Sequence, residues 1–486
     1  MLLGLDLGTT AVKAVVLDAD RGLLAADSLP NSPSSPRPGA SEQDAAAWLD
    51  NALALIGRVC AAAAVAPSAI TGVGVAGCVP CVLLLDDRDR PLRSALLYND
   101  ARSHVEIDEL SHALEGARVL ERTGAGVTQQ SVGPKLRWLQ RHEPDVWART
   151  RGVAGSYDWL GGRLAEARFS ERNWALESGL YDLATRDYAP DLCAAAGVGS
   201  DLFGAIRDPS DVIGGVSAAI AARTGLRAGI PVVAGLADHV SSALGAGIAR
   251  HGDLLVKLGG SVDVLACSDR PLLDSRLYLD AHPSPGLWLP NGCMASGGSG
   301  VRWFQRELAA GETLAALDAE AAATPPGADG IVMLPYLLGE KTPLNDPLAR
   351  GALVGLQLGH TRGHLFRAVL ESFAYGVCHH LEVLAEHAVR PTRARVTNGG
   401  ASSALWKQIV ADATGLVLEP VIDHPGSALG AAFAAGMGSG AFTDWSDIGR
   451  FVTLAEPIVP RAAVAGVYDE RYRAYRALYE AVKPAA

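Results

Sequence analysis

Two glycine-rich turns lie about half a chain apart, Gly4-Leu5-Asp6-Leu7-Gly8-Thr9-Thr10 near the N-terminus and Lys257-Leu258-Gly259-Gly260-Ser261-Val262-Asp263 past the midpoint. Backbone amides and hydroxyls at such turns suit phosphate oxygens, and a carboxylate such as Asp6 suits a Mg²⁺ ion held mostly through water. Neither copy is a Walker loop, which needs Gly-Lys-Ser/Thr opening a helix, or a Rossmann loop between strand and helix; each turn leads into a second strand. A single copy reads equally well as an ordinary hairpin. The acidic residue, the paired threonines and the second copy point instead to one nucleotide held between two similar domains.

Other residues could add chemistry. Asp238 sits just beyond a strand at residues 231–235, where it could cap the alanine-rich helix that follows or act as a base. Ser296-Gly297-Gly298-Ser299-Gly300 and Gly399-Gly400-Ala401 are further glycine turns, each leading into a helix. Cys78-Val79-Pro80-Cys81 has redox or metal spacing, but no second Cys or His pair completes a zinc site, so it reads as two thiols in a loop.

The elements that must position these residues follow from periodicity. Residues 2–6, 11–18 and 22–28 read as a three-stranded meander turning at Asp20-Arg21-Gly22. A Pro, Ser and Gly-rich loop over 30–40 precedes Ser41-Glu42-Gln43-Asp44, an acidic helix start for the stretch to Ala64. Residues 70–76 and 82–86 read as strands around the turn at 77–81, and turns at strand ends are where ligands meet α/β sheets. From 100 to 225 the pattern is mainly helical and irregular, with Trp138, Trp147, Trp159 and Trp174 as packing anchors. The meander restarts with strands at 252–258 and 261–267, and a domain boundary is expected at 245–251, giving domains 1–246 and 247–486. A long helix is expected from Thr361 to about Ala388, and a small-residue helix, packed closely on its neighbours, at 426–440.

At 486 residues the chain is long enough for two domains of about 200 to 250 residues. Hydrophobic residues make up 49% and charged residues 20%, an ordinary globular balance. A net charge of -11 gives no basic footprint for nucleic acid. No uninterrupted apolar run suggests a membrane span, and Asp6 interrupts the core that a signal peptide would need, so a cytoplasmic protein without membrane partners is expected. Seven scattered cysteines do not resemble a disulfide framework.

Taken together, these motifs resemble, in order along nearly the whole chain, the FGGY family of carbohydrate kinases within the actin-like ATPase superfamily. Residues 4–13 are similar to the family's first phosphate loop, and Leu97-Tyr98-Asn99-Asp100-Ala101-Arg102 to the Trp-Asn-Asp-x-Arg segment of xylulokinase-like members. Pro134-Lys135-Leu136-Arg137-Trp138-Leu139 and Ser156-Tyr157-Asp158-Trp159-Leu160 are also family-like. Gly235-Leu236-Ala237-Asp238 resembles the strand end that bears the catalytic aspartate, and residues 334–343 and 346–351 are strong matches. Asn398 to Ser403 resembles the adenosine loop, and Gly426 to Ala432 the Ala-Leu-Gly-Ala-Ala signature.

The resemblance implies an α/β protein of two ribonuclease H-like domains with an ATP and sugar cleft between them. It implies Asp238 as the base that takes the proton of an attacking primary hydroxyl, and Asp6 as the Mg²⁺ residue. Gly8, Thr9, Thr10 and Lys13 would face the terminal phosphates from one side, and Gly259, Gly260 and Ser261 from the other. Gly298, Gly399, Gly400 and Ala401 would complete the nucleotide site. Cys78, Val79, Asn99, Asp100, Asp238 and His239 would contact a sugar or polyol, and a homodimer is a family-level expectation.

The chain also departs from that pattern. Xylulokinase-like members carry Gly-Gln-Met-His where this chain has Gly77-Cys78-Val79-Pro80-Cys81. A proline cannot replace an imidazole's hydrogen bonds, and the Arg-Glu pair of glycerol kinases is absent too. Gly260 replaces a threonine of the usual Gly-Thr-Ser turn, His239 follows the base where Asn or Gln is usual, and Asn398 replaces a glycine. The leading expectation is an ATP-dependent kinase of a small ketose or polyol, most like xylulokinase. Alternatives are a family member acting on ribulose, a tetritol, a deoxy sugar or glycerol, and a catalytically weak sugar sensor.

Overall fold

The computed structural model describes residues 1–483 and divides into two compact units. The first comprises Met1–Ala249, Leu279–Trp288 and Pro425–Phe451; the second comprises Arg250–Tyr278, Leu289–His424 and the chain from Val452. Each is therefore assembled from segments distant in sequence.

In the first unit a mixed sheet runs in the order Val212–Gly215, Pro231–Val233, Gly72–Gly77, Leu2–Leu7, Ala11–Asp18, Gly22–Pro30, and Leu236–Ala237 also pairs with Gly72–Gly77. Leu2–Leu7 is buried at every position, the mark of a strand covered on both faces. It pairs antiparallel with Ala11–Asp18, Leu7 opposite Val12, and parallel with Gly72–Gly77, Leu7 opposite Gly77. Leu236–Ala237 continues the parallel set with Ala237 opposite Gly77. Three chain exits, after Leu7, Gly77 and Ala237, therefore lie at one edge of the sheet.

The helix Ser427–Gly438 covers one face of this sheet and is buried from Ser427 to Gly436. Its run of Ala and Gly lets two backbones approach closely. A Cβ at Gly4 would lie 2.0 Å from the Ala428 carbonyl oxygen, and one at Gly74 would lie 2.1 Å from that of Ala431. The helix Ala45–Ala62 packs on the strands Ala11–Asp18 and Gly22–Pro30 through an apolar side that includes Trp48, Leu55, Ile56 and Val59. It is long and apolar enough to cross a membrane by composition, yet that apolar side is buried against the sheet.

Its start differs from the expected one. Asp44 is the cap, accepting from the Ala46 amide, while Glu42–Gln43 forms a short strand against Ala95–Leu96. Glu42 is drawn there by Arg93 and Arg102, a pairing of distant residues that local helix signals do not contain.

The second unit repeats the plan. Leu254–Leu258 pairs antiparallel with Val262–Ala266, which pairs with Trp288–Met294, and parallel with Arg393–Thr397, which pairs parallel with Val417–Ile422. Lys257 lies opposite Thr397, so Gly259 and Asn398 leave the sheet at the same edge. The long helix Arg362–Glu386 packs Phe366, Val369, Phe373 and Val377 into the core. Its Arg367 bonds Glu371 at 2.8 Å and Tyr468 at 3.0 Å, so the buried charge is paired.

Replacing Gly4 or Gly74 with Ala forces a methyl group into helix backbone. Each substitution is expected to destabilise the protein by about 3 kcal/mol, the upper end for overpacking. Urea unfolding checks this, with a lower midpoint and an unchanged slope as the expected result.

Candidate active site

At the edge of the first sheet, Asp6 is the penultimate residue of Leu2–Leu7, buried, with Lys13 Nζ 3.9 Å from its Oδ2. The turn that follows is shaped from outside itself. Asn31 Nδ2 donates to the Gly8 carbonyl at 3.0 Å, and Gln43 Nε2 to that of Thr9 at 2.6 Å. Among the described residues the Thr9 and Thr10 amides meet no acceptor, and the Lys13 side chain is half exposed. One buried carboxylate beside open amides and hydroxyls is donor chemistry that fits Mg²⁺ with a phosphate chain.

Asp238 opens the helix Asp238–Gly245 directly after Leu236–Ala237, and its side chain is 36% exposed. Its backbone is held by the helix Ser427–Gly438. Ser427 Oγ donates to the Asp238 carbonyl at 2.8 Å, and Ser241 Oγ donates to the Ser427 carbonyl at 2.6 Å. A carboxylate held this way and still open to a ligand can accept a proton from a hydroxyl.

The turn after Gly77 is held by side chains behind it, with Ser156 Oγ donating to the Cys78 carbonyl and Trp174 Nε1 to that of Cys81. Cys78, Val79 and Cys81 are buried, and the two sulfurs lie 3.3 Å apart. The Cys81 thiol, burial and the nearby Asp238 push the Cys78 thiol well up, so it stays neutral. Tyr98 is pushed up to about 12 by burial and by Asp238, which places its ring in the same neighbourhood. Asn99 is exposed. Asp100 is fully buried, accepting from Arg102 at 2.7 Å and from the Ser41 amide at 2.8 Å.

His239 is the hub of a cluster that motif reading did not find. Its Nε2 lies 2.7 Å from Asp280 Oδ2 and 3.8 Å from Glu177 Oε1, and its Nδ1 lies 3.4 Å from Asp238 Oδ1. Burial works against a charged ring, but Asp280, Asp238 and Glu177 outweigh it and hold the imidazole well above its ordinary value. Burial and Asp280 likewise raise the Glu177 carboxyl well above its ordinary value, against the pull of the His239 ring. Glu177 ends the short helix Arg172–Glu177, and Asp280 belongs to the segment Leu279–Trp288. Neither has a local signal, because only the fold brings them to His239. Lys135, also buried, is brought down to about 8 by that burial, against the pull of Asp100 and Glu177.

In the second unit, three glycine turns meet. The Gly298 amide donates to the Gly259 carbonyl at 2.8 Å, and both the amide and Oγ of Ser299 donate to that of Gly260. Gly400 packs on Leu258 and Trp406 so closely that a Cβ would sit 2.5 Å from the indole. These turns line a cavity of about 390 Å³ with Arg302, Asp318 and Trp406 on its other sides. Gly259, Gly260, Gly298, Gly399 and Gly400 all face it. Ser261 and Ala401 sit beside it, Ser261 Oγ donating to Asp263 and the Ala401 amide to Asn398. Asn398 has a φ of 73° with a ψ of 179°, a backbone region that glycine adopts readily and that strains any other residue. Arg302 was not legible as a site residue. It lies one turn into the helix Gly298–Leu308, and Cβ atoms at Gly260 and Gly298 would be 3.7 and 3.8 Å from its guanidinium.

Comparison with known proteins bears on both units. The FGGY family of carbohydrate kinases, N-terminal domain, matches residues 1–245, and its C-terminal domain matches residues 254–439. The chain is 30% identical over 490 residues to a xylulose kinase of Escherichia coli, covering 100% of this chain and 99% of that protein. It is also 30% identical over 495 residues to an L-xylulose/3-keto-L-gulonate kinase of the same species, covering 99% and 97%. The crystal structure of xylulose kinase from Rhodospirillum rubrum matches with a TM-score of 0.94 at 43% identity, over 99% of both chains.

Arg302 gives the cavity a direct test. Among the described residues it has no ion-pair partner, and a guanidinium beside two backbone turns is suited to phosphate oxygens. Arg302→Ala is expected to weaken ADP binding about tenfold and to leave adenosine binding nearly unchanged, as read by calorimetric titration of both ligands.

Proposed function

The chain belongs to the FGGY family of carbohydrate kinases, and from that premise we propose that it transfers the terminal phosphate of ATP to the primary hydroxyl of a small ketose, most like xylulose. The observation that carries this reading is Asp238, an open carboxylate at the carboxyl edge of the first sheet, hydrogen-bonded in place through its own backbone.

In this reading Asp238 accepts the hydroxyl proton as the new P–O bond forms. The hydroxyl's own pKa is far above neutrality, so a positioned carboxylate is needed for the proton to leave. Tyr98, Asn99 and the neutral turn at Cys78 and Val79 surround the sugar, and Asp100 stiffens that wall through Arg102. The open amides of Thr9 and Thr10, with Lys13, hold phosphate oxygens. Asp6 would hold Mg²⁺, and the ion would supply charge neutralisation on the phosphates. Gly259, Gly260, Gly298, Gly399 and Gly400, with Ser261 and Ala401 beside them, hold the nucleotide, and Arg302 adds positive charge.

Relatives named for xylulose and for L-xylulose or 3-keto-L-gulonate support a ketose and leave its stereochemistry to experiment. The turn Cys78 to Cys81 presents two buried thiols, that of Cys78 held neutral, so the hydroxyl pattern is read by fewer polar side chains than an imidazole-bearing loop would supply.

The test is ADP release from purified protein with MgATP and a panel of ketoses, aldoses, polyols and glycerol. Turnover is expected on a pentulose. Asp238→Asn and Asp238→Ala are expected to lower kcat by about 10³-fold or more while ADP binding persists. Unchanged turnover in both variants would sink the base assignment, and sugar binding without turnover across the panel would favour a sensor. Because phosphate and hydroxyl must meet for transfer, sugar and ADP are also expected to change each other's affinity by the same factor.

A further inference from the structure

The cluster around His239 has a geometry that a simple sugar contact does not need. Its Nε2 edge is closed by Asp280 at 2.7 Å, and its Nδ1 edge faces Asp238 Oδ1 at 3.4 Å. The His239 amide also donates to Asp238 Oδ1, at 2.7 Å. Backbone and ring thus converge on a single oxygen of Asp238. Asp280 is 2% exposed, and behind it stands Glu177. Glu177, His239 and Asp280 have the donor types of a metal site, with ligand atoms all within 4.8 Å of one another. The short Asp280 contact takes the ring nitrogen that a metal would use, so the arrangement is that of an ion pair.

We propose that His239 is a positioning residue for Asp238: clamped by Asp280 and Glu177, the ring aims its Nδ1 edge at one carboxylate oxygen and leaves the other to meet the substrate hydroxyl. This rests on Asp238 being the base and deepens that reading. Both ring nitrogens are engaged within the protein, so neither is left to contact the sugar directly.

The electrostatics are consistent with that role. Asp280, Asp238 and Glu177 together overcome the cost of burying a charged imidazole, and a cation beside a carboxylate keeps it ionised. The groups facing the ring are Asp238 on its own helix, Asp280 from the segment Leu279–Trp288, and Glu177 from the helix Arg172–Glu177. Lys135, from the helix Val132–His142, faces Glu177, while Cys78 and Tyr98 face Asp238. The histidine pKa is raised in the folded protein, so its charge persists to higher pH than that of an ordinary imidazole and is lost as pH rises through the raised value.

Steady-state rates on the best sugar of the panel, measured from about pH 5 to 10, separate positioning from packing. Wild type, His239→Gln, Asp280→Asn and Asp238→Asn are compared, with ADP binding and a thermal melt confirming that each variant is folded. In His239→Gln the acid limb of kcat is expected to move up by at least about one pH unit, because Asp238 loses its cationic neighbour. In Asp280→Asn the alkaline limb is expected to move down by a similar amount, because the ring gives up its proton earlier. KM for the sugar should change less than kcat in both.

Limbs that superimpose on wild type, whatever the drop in rate, would overturn the proposal and leave His239 as packing. A larger rise in KM than fall in kcat for His239→Gln would overturn it in favour of a direct sugar contact. Turnover retained in Asp238→Asn would instead overturn the underlying base assignment, so the two failures are distinguishable.

Discussion

Close backbone approach between the helix Ser427–Gly438 and the strands Leu2–Leu7 and Gly72–Gly77 is the constraint on which the first unit depends. It is possible only because Gly4 and Gly74 have no Cβ where the carbonyls of Ala428 and Ala431 pass. The same helix then reaches the candidate base, through Ser427 Oγ on the Asp238 carbonyl and Ser241 Oγ on the Ser427 carbonyl. Packing and site geometry are therefore one arrangement. A change that lifts the helix off the sheet also moves the start of Asp238–Gly245, and an error of about 1 Å at a reacting carboxylate is enough to cost about 10²-fold in rate.

The sheet contributes by register. Parallel pairing of Leu2–Leu7, Gly72–Gly77 and Leu236–Ala237 puts three chain exits at one edge, and ligands in open α/β sheets bind beyond the carboxyl ends of strands. The exits carry different chemistry: open amides and Asp6 after the first, a neutral thiol turn after the second, a carboxylate after the third. In the second unit the same logic brings Gly259 and Asn398 together from two parallel strands. The turns are shaped by groups outside them, Asn31 and Gln43 in one case and Ser299 in the other. That leaves their own amides less constrained to internal bonding, which suits anion binding.

Much of this was legible in the sequence because it is local. Apolar runs ending in glycine turns, a carboxylate at a strand end and a run of small residues each carry their own signal, and the ordered motifs joined them into a family resemblance. What was not legible is long-range. Asp280 meets His239 across 41 residues, and Glu177 is a lone acid at a helix end. Local pattern also placed the first helix at Ser41, but Glu42 is taken by Arg93 and Arg102 and the cap passes to Asp44. Competition for a charged side chain by a distant partner is invisible to propensity.

Gly260 shows how a departure from pattern is absorbed. A threonine at this place would offer a hydroxyl to phosphate; the turn here keeps its form without one. Its carbonyl is drawn back by both the amide and the hydroxyl of Ser299, and the preceding carbonyl, of Gly259, by the Gly298 amide. The loss is then one donor, on the order of 1 kcal/mol for a neutral hydrogen bond. Arg302, whose guanidinium lies beside both Gly260 and Gly298, carries a full charge, and hydrogen bonds from a charged donor are roughly twice as strong. A nucleotide in this cavity, as proposed, would exchange a neutral contact for a cationic one, and its affinity would depend more on salt than a hydroxyl-lined turn would make it.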